Sequence, residues 1–192
     1  MPAAERSPSR PVATGERVLF VGDSVLAAVA ADPVARVRLL GRVDGAVEAE
    51  TCRRLVETSC TVDGRTPDTA IDAIRRRADG GFTVAVVEAG YNDPSIETAI
   101  DVVIRELALI GVRRVLWVTY HDGSGRFGGH NAALSSALGR HPSVLSLIEW
   151  GAASDRRPEW FAPDRVHLSP GGAQALAEVI AAAMEGGARA RA

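Results

Sequence analysis

Short apolar runs alternate with helically spaced stretches along most of this 192-residue chain. Runs rich in β-branched residues fall at Arg17–Gly22, Ala46–Thr51, Thr83–Gly90, Arg114–Tyr120 and Val144–Trp150. Each is too short for a typical helix and most end at a turn former, so strands are predicted there. Helices are predicted over Val25–Ala31, Thr66–Ala78, Ser95–Ile110, Asn131–Leu138 and Ser169–Met184. In the second, Ala70, Ile71 and Ile74 share a face; in the third, Ile96, Ile100, Val103, Ile104, Leu107 and Ile110 form one stripe. The last opens with Ser169 as N-cap and Pro170 at the first helical position. Continuously apolar strands between helices need cover on both faces, which predicts an α/β fold: a three-layer α/β/α sandwich with about five parallel strands. Gly41–Thr66, which holds both cysteines, has weak periodicity and is the least defined segment.

The composition, 46% hydrophobic and 24% charged, is that of one ordinary globular domain, expected over residues 17–185. The Pro-, Ser- and Arg-rich leader, 1–16, and the tail, 186–192, are expected to be disordered. A formal net charge of -2 gives no electrostatic case for nucleic acid or an anionic membrane. All 22 basic residues are arginines. Without lysine there is no P-loop lysine, no Schiff base and no Ser-Lys dyad. No cofactor is implied. No signal-like or membrane-spanning apolar run is present, so the default location is cytoplasmic and no membrane insertion is expected. Cys52 and Cys60 leave two readings open: a short-loop disulfide, which would point to an extracytoplasmic compartment, or two thiols. No zinc-type spacing accompanies them, and no metal site is expected.

In open parallel sheets, ligands bind beyond the carboxyl ends of the strands. The polar loops leaving those ends are Gly22-Asp23-Ser24, Glu50-Thr51-Cys52-Arg53, Gly90-Tyr91-Asn92-Asp93 and Tyr120-His121-Asp122, with Asp164-Arg165-Val166-His167 before the last helix. A serine nucleophile needs an imidazole to take its proton, a carboxylate to orient that imidazole, and donors for the oxyanion. Asp164, three residues before His167, can reach the ring Nδ1 and leave Nε2 for Ser24. The Asn92 amide and the Ser24 backbone N–H are candidate oxyanion donors. As a helix-start residue, Ser24 would be cap and nucleophile at once.

These three blocks, GDS, GYND and DRVH, resemble the SGNH (GDSL) hydrolase family over nearly the whole folded chain. The resemblance implies a flavodoxin-like sandwich and a serine esterase with Ser24 as nucleophile, His167 as base and Asp164 as its orienting acid. It also implies oxyanion donors at Ser24 and Asn92, and a third from a glycine after the second strand. Here that loop has no glycine, so the backbone of Cys52 or Arg53 is the candidate. The α/β-hydrolase elbow and the dinucleotide fingerprint are both absent, since the first strand runs into GDSVLA.

The expected substrate is a short-chain, acetyl-type O-acyl ester, a small molecule or a glycan, on carbohydrate or cell-envelope material by family analogy. Alternatives are an acyltransferase with the same triad, a lipase or thioesterase, and a non-catalytic binding module. Asp23, Tyr91 and Trp160 are candidate substrate contacts, although Asp23 and Asp93 also read as residues that hold their turns. Trp150 and Trp160 border the rim, as stacking surfaces or as loop packing; Trp117 reads as core. His121 and His130 are expected on a mobile glycine-rich loop, solvated or facing substrate, and His141 at a helix end. Arg53 and Arg54 read as a solvated pair, or as partners for a substrate anion.

Overall fold

The computed structural model describes residues 11–13 and 15–186. Five strands, β1 (Arg17–Gly22), β2 (Asp44–Ala49), β3 (Val84–Glu88), β4 (Arg114–Val118) and β5 (Leu145–Ile148), form one parallel sheet in the order β2-β1-β3-β4-β5. β1, β3 and β4 are buried along nearly their whole length, as continuous apolar strands require, and edge strand β2 is half-exposed. Among the described residues seven α-helices accompany the sheet: α1 (Ser24–Ala31), α2 (Pro33–Leu40), α3 (Ala70–Arg75), α4 (Glu97–Leu109), α5 (Gly128–Arg140), α6 (Trp150–Ser154) and α7 (Pro170–Met184). α1, α2 and α7 pack on one another, and α4 packs against both α3 and α5, which makes the two outer layers. Among the described residues no helix is long and apolar enough to cross a membrane.

The predicted ends of β1 coincide with the observed strand, but β2 lies two residues earlier than its apolar run. Pairing decides this. Arg17 stands opposite Asp44 and joins it in an ion pair of 2.9 Å, and Gly45 lets β1 approach where a Cβ would lie 2.9 Å from the Phe20 ring. α2 was not expected, although Asp32-Pro33 carries its start signal: the Asp32 carboxylate accepts the Ala35 N–H at 2.8 Å and Pro33 occupies the first turn. α3 is shorter than predicted because Thr69, two residues after Pro67, caps it and a 3-10 turn replaces its last part. α7 starts as expected, Ser169 accepting the Gly172 N–H at 3.2 Å. Of the expected leader, residues 1–10 lie outside the described residues. Val12 is tied to the end of α7 by its N–H on the Met184 carbonyl, so the folded unit begins before Arg17. Residues 187–192 of the expected tail also lie outside.

The chain runs from β1 to β2 on one side and returns to β3 on the other. The crevice at the carboxyl ends of β1 and β3 is therefore the switch point of the sheet, where such folds hold ligands.

Candidate active site

The β1–α1 corner is built on a glycine and a buried acid. A Cβ on Gly22 would fall 2.3 Å from the Leu26 Cβ and 2.8 Å from the Glu88 carbonyl oxygen, so only glycine lets α1 start this close to the sheet. Asp23 is the N-cap, with no exposed surface. Its Oδ1 accepts the Val25 N–H at 3.0 Å, and its Oδ2 accepts the N–H groups of Gly90 and Tyr91 at 3.2 and 3.1 Å. One carboxyl thus clamps the β1–α1 corner to the β3 loop. Burial raises the Asp23 carboxyl to about 6, against the three backbone donors that favour its charge and a smaller pull from the His167 ring.

Beneath the corner, Glu88 is buried and held well above the usual carboxylate range, first by desolvation and then by Asp23. The Leu26 N–H weakly opposes this, and Glu88 Oε2 has no hydrogen-bond partner among the described residues. The Val25 donor at the start of α1 is satisfied by Asp23, while the half-buried Ser24, first residue of the helix, has no acceptor for its N–H among the described residues. Its N–H stands at the positive end of the helix dipole.

Asn92 is placed from two sides. Its Nδ2 donates to the Arg53 carbonyl at 3.1 Å, and its own carbonyl accepts Arg54 Nε–H at 2.8 Å, leaving one Nδ2 hydrogen unassigned. Asp93 holds the turn, its carboxyl accepting the Leu55 N–H at 3.3 and 3.2 Å. In the glycine-less loop, Cys52 has φ 66°, the left-handed conformation that glycine supplies elsewhere, and it is joined to Cys60 in a disulfide. The Arg53 N–H is engaged by the Glu50 carbonyl at 3.3 Å, which removes it as the unengaged donor and leaves that of Cys52. The reading of Arg53 as a solvated residue is also corrected. Its guanidinium is buried, donating to the carbonyls of Gly22, Glu48 and Asp68 and to Glu50 Oε2, and so caps the ends of β1 and β2.

The loop from Phe161 to Leu168 closes on itself by a bridge between those two residues. Inside it, Asp164 Oδ1 accepts the N–H groups of Val166 and His167, each at 3.0 Å, and Oδ2 faces His167 Nδ1 at 2.6 Å. The His167 ring, then the Val166 N–H, holds the Asp164 carboxyl down at about 2. Because an ionised carboxylate only accepts, Nδ1 carries the proton and Nε2 is left as the basic nitrogen.

Other expected site residues have different places. Asp23 is too buried to touch a substrate. Trp160 stacks on the fully buried Trp150 at 5.4 Å, and its carbonyl accepts the Ser169 N–H at 2.9 Å, so this tryptophan packs its loop against α7. Tyr91 is buried with its hydroxyl accepting the His121 N–H at 2.9 Å, although its ring lines a cavity beside Asn92. His121 and His130 are not solvated: His121 stacks on Phe161 with Nδ1 on Ser154 Oγ at 2.9 Å, and His130 Nε2–H donates to the Asp93 carbonyl at 3.1 Å. Phe161, far along the chain, covers His121, whereas His130 packs on Tyr120 and Phe127 shortly before it. His141 does end α5, in contact with Asp101, and Trp117 is core. Sequence reasoning missed Glu88, although a carboxyl inside the run Val84–Glu88 is a visible irregularity, and it missed the buried Arg53 cap, which had no such signal.

No family model matches the sequence, and no curated protein matches it. The structure is nevertheless similar to an SGNH-hydrolase-assigned protein of Slackia heliotrinireducens (TM-score 0.63, 19% identity, 88% of this chain and 98% of that one). The chain has the SGNH hydrolase fold. Other structures of this fold similar to it are an Agrobacterium tumefaciens protein titled an arylesterase (TM-score 0.62, 17% identity, 87% and 97% covered) and a carbohydrate acetylesterase family member from Sinorhizobium meliloti (TM-score 0.59, 15% identity, 89% and 99% covered). In the SGNH fold of this chain, the serine corner and the Asn92 turn stand at the sheet's switch point.

Proposed function

We propose that this chain is a serine esterase acting on short-chain, acetyl-type O-acyl esters. The observation that carries the reading is the 2.6 Å contact of His167 Nδ1 with Asp164, which orients the ring with Nε2 basic. In this mechanism Ser24 Oγ attacks the ester carbonyl while His167 Nε2 takes its proton. The tetrahedral oxyanion is met by the N–H groups of Ser24 and Cys52 and by Asn92 Nδ2. Collapse breaks the bond to the alcohol, which leaves with the proton from His167, and Ser24 is acylated. Water, deprotonated by His167, then attacks the acyl carbonyl; the bond to Ser24 Oγ breaks, His167 returns the proton to that oxygen, and the acid is released.

Exposure supports hydrolysis over transfer to another alcohol. The Asp164 and His167 side chains are 49% and 55% exposed, so water reaches the base. Similarity to a protein described as an arylesterase supports an ester substrate, and similarity to a carbohydrate acetylesterase family member supports acetyl groups on carbohydrate. Hydrolysis of p-nitrophenyl acetate by the wild type and by Ser24→Ala tests the proposal: a loss of at least about 10³-fold is expected, and equal rates overturn it. A fluorophosphonate adduct located on Ser24 by mass spectrometry is the expected companion result.

A further inference from the structure

A cavity of about 330 Å³ opens beside the candidate site, lined by Arg54, Tyr91, Asn92, Asp93, Arg126 and His130 among others. Through Arg126 and His130 it adjoins a groove of about 360 Å³ between the loop before α4 and α5. Of its two arginines, Arg54 is half-buried and Arg126 is exposed. Arg54 Nε–H is fixed on the Asn92 carbonyl at 2.8 Å, and the Arg126 guanidinium lies 5.2 Å from the centre of the Phe127 ring, which packs on Tyr91.

Neither of these two guanidiniums has a carboxylate within ion-pair distance among the described residues. Arg53, Arg65, Arg75, Arg76 and Arg77, on nearby elements, are all paired. The acids around the cavity do little to offset the pair. Asp93 turns its carboxyl to the Leu55 N–H; Arg54 attracts its charged form, but burial outweighs both and raises it to about 7, so near neutrality it is only partly charged. Glu57 is exposed, and Glu97 lines the adjoining groove rather than this cavity. Two planar cations, one fixed by a hydrogen bond and one resting on a ring face, beside an oxyanion donor suit a carboxylate or phosphate bound by paired N–H bonds.

We infer that the ester substrate carries an anionic group, a carboxylate or a phosphate, and that Arg54 and Arg126 bind it; this rests on the esterase reading above. The test compares 4-acetoxyphenylacetate, 4-acetoxybenzylphosphonate and the neutral methyl 4-acetoxyphenylacetate, which share the acetyl group and have similar leaving phenols. For the wild type, kcat/KM is expected to favour at least one anionic ester over the neutral one by about tenfold or more, as a charge-assisted hydrogen bond supplies. Whichever anionic ester is preferred identifies the group. Arg126→Gln is expected to bring the ratio toward one, and Arg126→Lys to retain part of it. Arg54→Gln, which also loosens Asn92, is expected to slow all three esters and still lower the ratio. A wild-type ratio of one or below for both anions, or a ratio unchanged in both Gln variants, overturns the inference. Ser24→Ala separates the two claims: if it stops turnover of every ester while the ratio fails, only the anion site falls. If turnover survives in Ser24→Ala, the esterase reading falls with it.

Discussion

Asp23 and Asp164 both serve the candidate site, and they do so by opposite physics. Asp23 has no exposed surface, and two of its three backbone donors, Gly90 and Tyr91, lie far away in the chain. Burial pushes its carboxyl up, to about 6. Asp164 is half-exposed, its partners Val166 and His167 lie within three residues, and those bonds hold it down, at about 2. Each neighbours a residue of the proposed reaction, but Asp23 joins two loops of the fold whereas Asp164 orients one ring. Stability is therefore expected to depend on the first and turnover on the second.

The largest effect that would break this contrast is in catalysis. Asp164→Asn is expected to lower kcat by about 10⁴-fold, as loss of the orienting carboxylate does in a serine triad, because the amide favours the wrong His167 tautomer. Its unfolding midpoint should stay close to the wild type, since exposed local contacts contribute little to stability. A large drop in stability with kcat intact would reverse the roles of the two acids. Asp23→Asn comes next. The amide keeps one acceptor oxygen and turns an N–H donor toward another donor, so denaturant unfolding should show a loss of about 2 kcal/mol, the cost of an unsatisfied buried group. Unchanged stability would mean that the clamp on Gly90 and Tyr91 is unimportant.

Asp93 gives the smallest effect and sharpens the role of burial. Its carboxyl ordinarily titrates near 3.8 and is raised to about 7 in the folded protein, desolvation being the first cause. Between these values the folded state holds a proton that the unfolded chain has released. This group therefore makes stability fall as pH rises through that window, with no further change above it. Asp93→Asn should flatten the fall between pH 5 and 8, measured from urea midpoints, while keeping an acceptor for the Leu55 N–H. An identical slope in wild type and variant would remove Asp93 as its source.

Much of the fold was legible because its signals are local. Four apolar runs matched their strands closely, β1 at both ends, and the Ser169-Pro170 pair marked the start of α7. The spacing of Asp164 and His167 is likewise a complete local instruction, since a loop of three residues brings carboxyl and ring together. One miss was itself local, since Asp32-Pro33 carries the start signal of α2. Other errors turned on a partner outside the element: β2 pairs with β1 from Asp44, opposite Arg17, and His121 is buried by Phe161, far along the chain, while His130 packs on the nearer Phe127 and Tyr120 rather than lying on a mobile loop.

By itself, then, the sequence determined the α/β layering, the serine at the start of a helix and the Asp164–His167 pair, because periodicity, capping and short loops act over a few residues. Only the tertiary structure decided that Asp23 clamps the β3 loop and that Arg53 is a buried cap on two strands. It alone put Cys52 in the conformation of the missing glycine and brought Arg54 and Arg126 to one cavity. Apart from the Cys52 turn, whose disulfide partner is near in the chain, these arrangements join residues tens of positions apart, and burial and hydrogen bonding between such residues exist only once the sheet has brought its strand ends together.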